Sequence, residues 1–161
     1  MLNNINRSAA GLLSAAVLVF CLGLTGCGKA IPPVVPMTAT VKTADGQPVN
    51  NVLVRFVPQL DHLDGNYIAS GVTDDNGVCE IKLPTKEESG CCACWHKVVV
   101  VEGPVPDSVR ENYMKDAGAS MKVFEKTLKH RPIPRDYTKL FSTPLAVEVS
   151  ETTSEFEIVF K

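Results

Sequence analysis

From residue 38 to residue 160 the chain is cut into short runs of alternating apolar and polar residues, with a turn signal about every ten residues. A period of two sends successive side chains to opposite faces of a strand. Each run can therefore bury only one face, and several runs must close over a shared core. Residues 38–43 lead into Asp45-Gly46, and residues 51–57 then carry Val52, Val54 and Phe56 on one face and Arg55 on the other. Residues 67–73 run into Asp74-Asp75-Asn76-Gly77, a hairpin turn whose Asn-Gly tolerates positive φ. Residues 78–83 place Cys79, Ile81 and Leu83 opposite Glu80 and Lys82, and residues 98–101 are apolar on both faces, as a central covered strand requires. Leu145, Val147 and Val149 alternate with Glu148, and Phe156, Ile158 and Phe160 with Glu155 and Glu157. The expectation is a mainly β fold of the sandwich class.

One stretch breaks this rhythm. Between residues 104 and 131, Ser108-Val109-Arg110-Glu111 has capping-box spacing, Met121, Phe124 and Leu128 recur at helical intervals, and Pro132 and Pro134 follow. The spacing predicts one or two short helices over an edge or end of the sandwich. Tyr113, Met121 and Phe124 read as core-facing rather than as a partner-binding surface.

The amino-terminal part has a different logic. Arg7 precedes an apolar run over residues 9–24 broken only by Gly11, Ser14 and Gly23, the layout of a secretory signal peptide. The run is shorter than the ~20 residues that span a hydrocarbon core. It closes on Leu24-Thr25-Gly26-Cys27, which resembles the lipobox of bacterial lipoproteins. That resemblance implies cleavage after residue 26 and a diacylglycerol anchor, with acyl chains such as palmitate, on Cys27. Cys21 is a poorer acceptor because bulky Phe20 precedes it. Residues 27–37, with Pro32, Pro33 and Pro36, then read as an anchored extended tether, and residues 38–161 as the domain. Gly28 in place of Asp points, at the level of that family, to the outer rather than the inner membrane, in either case on the extracytoplasmic side of the cell envelope. Without the leader the chain has 15 basic and 18 acidic residues, a mild balance that gives no reason to expect nucleic acid or an anionic lipid face as partner.

Three turn-and-strand motifs carry a second resemblance: Ala44-Asp45-Gly46-Gln47-Pro48-Val49, Val54-Arg55-Phe56-Val57-Pro58 and Gly71-Val72-Thr73-Asp74-Asp75-Asn76-Gly77. Together with Ile133-Pro134-Arg135-Asp136-Tyr137 and Ser142-Thr143-Pro144-Leu145, they resemble carboxypeptidase regulatory-like domains of bacterial lipoproteins. The resemblance implies a Greek-key, prealbumin-like (Ig-like or transthyretin-like) β-sandwich of about seven strands. The function expected of the chain is a non-catalytic binding or structural module whose partner is an envelope protein or a glycan. Motifs of this kind specify fold far better than function.

No catalytic set emerges. His62, His96 and His130 have Gly65, Val99 and Ile133 three residues on, so none forms a zinc-peptidase pair, and no Gly-x-Ser-x-Gly elbow occurs. The carboxyl-terminal residues Ile158-Val159-Phe160-Lys161 are not the signature tail of ureide-hydrolysing transthyretin-like enzymes. Asp74 to Gly77 reads as an Asx-rich turn rather than a calcium loop, which needs a bidentate Glu at its end. His62 and His130 read as solvated.

Chemistry is concentrated in Cys91-Cys92-Ala93-Cys94-Trp95-His96. His96 falls one residue too late for covalent haem attachment. Cys91, Cys92, Cys94 and His96 have the donor types for a soft metal, copper or zinc. Thiol–disulfide chemistry is a further alternative. The plainer reading is an inert or disulfide-linked loop, since Cys79, Cys91, Cys92 and Cys94 form an even set with three pairings. Cys79 also reads as a buried thiol packing as a small hydrophobe. Trp95 reads as a packing anchor.

Overall fold

A computed structural model describes residues 30–86, 88–113 and 119–161. The expected signal peptide and Cys27 lie outside the described residues. Ile31–Lys161 forms one unit. It is mainly β, and its layers follow directly from the alternating runs.

The larger sheet has six strands in the order β10-β9-β3-β4-β6-β7, all antiparallel: β10 (Ala146–Glu148), β9 (Trp95–Glu102), β3 (Val52–Pro58), β4 (Ala69–Val72), β6 (Lys82–Leu83) and β7 (Glu88–Ser89). A three-stranded sheet runs β11-β2-β5, from Glu155–Phe160, Thr38–Thr43 and Val78–Glu80. Its β11–β2 pair is parallel, with Glu155 opposite Thr38 and Phe160 opposite Thr43. A third, two-stranded element pairs β1 (Val34–Val35) with β8 (Cys91–Cys92). The sandwich class expected from the alternation is the class found.

The core holds the inward residues that a period of two selects: Val52, Val54 and Phe56 of β3, Val98 and Val100 of β9, Ala39 and Val41 of β2, and Ile158 and Phe160 of β11. As the apolar run 98–101 predicts, β9 is interior to its sheet, between β3 and β10. The run 78–83, expected as one strand, instead breaks at Ile81. Its first half joins the three-stranded sheet and its second half the six-stranded one, so the chain turns a corner between layers. Cys79, Ile81 and Leu83 all remain inward. Gly71 permits the corner, because a Cβ there would lie within 2.3 Å of the Glu80 carbonyl oxygen.

One boundary differs from expectation. The proline-rich stretch is not a free tether throughout, since Val34 and Val35 pair with Cys92 and Cys91, and Val35 and Met37 are buried in the core. Burial of those two side chains outweighs the extended preference of the neighbouring prolines, so the folded unit begins at Ile31 rather than at residue 38. The open side of the sandwich is closed by a 3-10 turn over Arg135–Thr138, where buried Tyr137 meets Phe160 edge-on with ring centroids 5.2 Å apart.

The insert forms two helices, α1 (Asp107–Tyr113) and α2 (Ala119–Thr127). They follow β9 at its Glu102 end. Met121, Phe124 and Leu128 are half-buried and join no part of the core, and Val123 is 64% exposed, so the core-facing expectation fails for α2. The side chain of Tyr113 lies outside the described residues. Polar groups tie the segment after α2 to the sandwich. Asn50 Nδ2 donates to the Thr127 carbonyl at 3.1 Å, Lys129 N–H donates back to Asn50 Oδ1 at 3.0 Å, and Arg131 donates to the Asn50 carbonyl at 2.7 Å and to Glu102 at 2.8 Å.

Candidate functional site

The cysteine segment lies where β1, β8 and the start of β9 meet. Backbone hydrogen bonds hold it, among them Gly90 N–H to Ile81 (2.7 Å), Ala93 N–H to Pro33 (2.8 Å) and, last, Cys94 N–H to Cys92 (2.9 Å). The last is a three-residue turn that reverses the chain between β8 and β9. Cys91 and Cys92 are fully buried, and Cys94 is half-buried. Only Cys91 belongs to the core cluster, as strand alternation demands of adjacent residues.

Strand parity decides the rest. Along β9, His96, Val98 and Val100 point inward and Trp95 points out. Trp95 is 53% exposed, which corrects its expected role as a packing anchor. His96 is fully buried, edge-on to Phe56 with ring centroids 5.9 Å apart, while Phe56 meets Phe156 in the same manner at 5.9 Å. The Cys94 carbonyl accepts from Val149 N–H at 2.9 Å and lies 3.0 Å from His96 Nδ1. A carbonyl can only accept, so the proton is assigned to Nδ1 and Nε2 is the acceptor. Cys94 Sγ is 3.9 Å from both ring nitrogens. That equal separation puts the sulfur beside the ring, off the outward axis of either nitrogen, where a shared metal would need it.

Of Cys91, Cys92, Cys94 and His96, the structure brings the side chains of Cys94 and His96 together, whereas Cys91 turns into the core. Among the described residues no three His, Cys, Asp or Glu side chains are grouped as a metal site needs. Cys79, Cys91, Cys92 and Cys94 are all free thiols. Burial pushes the Cys79 thiol up to about 11, the Cys91 thiol up to about 12 and the Cys94 thiol up to about 11, and it raises Cys92 as well. Groups so far from the thiolate form are poor nucleophiles, the opposite of what thiol exchange calls for. Reduced native protein exposed to a thiol reagent at pH 8 should therefore label Cys94 first, with Cys79, Cys91 and Cys92 following only as the fold opens. Cys94→Ser should remove the fast phase, and rapid labelling of Cys91 would contradict this burial.

Burial also holds the imidazole of His96 below its ordinary value, against a smaller opposing effect of the Cys94 carbonyl. In the unfolded chain the ring titrates near 6.5. The depressed native value means that the stability contribution is complete above that pH. It is lost as pH falls below 6.5, because the unfolded state takes up the proton first. The urea midpoint should be level between pH 7 and 8 and fall below pH 6.5 at a rate bounded by about 1.4 kcal/mol per pH unit for one proton. His96→Gln should flatten that slope, and an unchanged slope in the variant would place the titrating group elsewhere.

The other sequence candidates resolve simply. Asp74 Oδ1 accepts from Asn76 N–H and Val78 N–H at 2.9 Å each, the Asx turn of a hairpin, and these bonds lower its carboxyl pKa, with Val78 as the main cause. Buried Thr73 donates to Val49 and accepts from Val52 N–H, and buried Thr143 donates to Val98. The inward position of His96 was legible in advance by counting parity back from Val98. Comparison with known proteins yields no match: no family model, curated protein or solved structure matches the chain.

Proposed function

We propose that the chain is an exported lipoprotein, acylated on Cys27, whose sandwich is a non-catalytic binding or structural module of the cell envelope. The observation that carries this reading is Leu24-Thr25-Gly26-Cys27 at the end of the apolar run 9–24. The location of the cysteine matters as much as the pattern, because a lipid-accepting thiol must follow a segment that engages the export machinery. The expected partner is an envelope protein or glycan.

The buried polar side chains support a structural role for the sandwich. Asn50, Thr73, Thr143 and His96 all spend hydrogen-bonding groups on the chain's own backbone. A second reading, a soft-metal or thiol-redox lipoprotein, draws on the closeness of Cys94 to His96. It requires thiols that burial keeps protonated to give up their protons.

Intact-mass analysis of the protein extracted from membranes tests the first reading. The amino-terminal residue should be Cys27 carrying diacylglycerol, and Cys27→Ser should abolish both the modification and membrane retention. An unmodified Cys27 in membrane-extracted protein would overturn it. Stoichiometric copper or zinc that disappears in Cys94→Ser would favour the second reading.

A further inference from the structure

The end of the sandwich that receives the chain from Cys27 carries two solvent-exposed apolar side chains, Trp95 at 53% and Ile31 at 56%. Ile31 lies four residues after Cys27, a span of at most about 14 Å even when fully extended. The chain then runs beside the cysteine segment, with Pro33 bonded to Ala93 and Val34 opposite Cys92, two and three residues before Trp95. The helical insert leaves β9 at the other end, at Glu102, about 23 Å away by strand rise.

We infer that Trp95 and Ile31 rest on the surface of the lipid bilayer to which Cys27 is anchored. This forms a second, non-covalent contact that fixes which end of the sandwich faces the membrane. The inference rests on acylation of Cys27. Tryptophan suits the position, since its ring is apolar while its indole N–H remains hydrogen-bonded at the wet headgroup level. The same end carries exposed Glu148, directly opposite Trp95, and exposed Glu151. Their carboxylates disfavour an anionic lipid face and select zwitterionic headgroups. Two contacts, one covalent and one at Trp95, restrict tilt in a way that a lone flexible tether does not. The helices α1 and α2 are then directed away from the bilayer.

Trp95 is the only tryptophan in the chain, so its fluorescence reports this contact alone. The acylated full-length product is reconstituted into phosphatidylcholine vesicles, with and without bromine on the acyl chains near the headgroup. Contact predicts a blue-shifted emission, a several-fold loss of intensity on brominated vesicles and little quenching by aqueous iodide. Acylated, vesicle-bound protein whose emission ignores bromine and is quenched by iodide overturns the contact and leaves the anchor standing. An unmodified Cys27 overturns both.

Discussion

Replacing Phe56 with alanine should lower the free energy of unfolding by about 3–5 kcal/mol, the range for deleting a fully enclosed aromatic ring. Phe56 has no solvent exposure and is the largest side chain in that state among the described residues. It projects from β3 and meets His96 from the same sheet and Phe156 from the three-stranded sheet, each edge-on. One ring therefore links both layers, and two aromatic contacts vanish with it, each contributing about 0.5–1.5 kcal/mol beyond its area. Urea unfolding followed by circular dichroism measures the change. A double-mutant cycle with Phe156→Ala should show coupling between the two rings. Additive losses, or a loss below about 1 kcal/mol, would mean that the sheets do not meet through Phe56.

Gly90→Ala should come next in size. Gly90 has φ +116°, a region closed to residues with a Cβ, and that atom would fall 2.0 Å from the Val35 carbonyl oxygen. The backbone cannot move aside cheaply, because Gly90 N–H is bonded to Ile81 and Val35 is paired with the next residue, Cys91. We expect a loss of about 2–4 kcal/mol, combining the strain with displacement of β1. The thiols of Cys91 and Cys92 should become reactive in the native state as their cover lifts. Unchanged stability together with unchanged thiol access would contradict the pairing of β1 with β8.

The sandwich was readable because burial on one face imposes a period of two: Val52, Val54, Phe56, Ile158 and Phe160 are buried, and Phe156 is half-buried against them. The corner at Ile81 was not. Cys79, Ile81 and Leu83 face the interior whichever sheet they belong to, so the side-chain pattern runs unbroken through a change of hydrogen-bonding partner. Val34 and Val35 were hidden by the prolines around them, whose local preference says nothing about a partner strand more than fifty residues away. Trp95 departs from expectation for a related reason. A large aromatic suggests burial, yet the parity of β9 gives the inward place to His96. In the cysteine segment the residue types are legible in the sequence, whereas the burial that keeps the thiols protonated depends on β1, whose pairing the prolines conceal.

The parallel pairing of β11 with β2 joins residues 155–160 to residues 38–43, a sequence separation greater than a hundred residues. Closing so long a loop is entropically expensive and offers little return until it is nearly complete. In the six-stranded layer only β3–β4, β4–β6 and β6–β7 join near neighbours, whereas β9 must reach back to β3 and the smaller layer must await the arrival of β11. Until then β2 is an unprotected edge with inward Ala39 and Val41 uncovered, a state prone to pairing with another chain. The smaller layer of such a topology is therefore complete only once the carboxyl-terminal strand is in place, so the last residues of the chain decide whether β2 stays exposed.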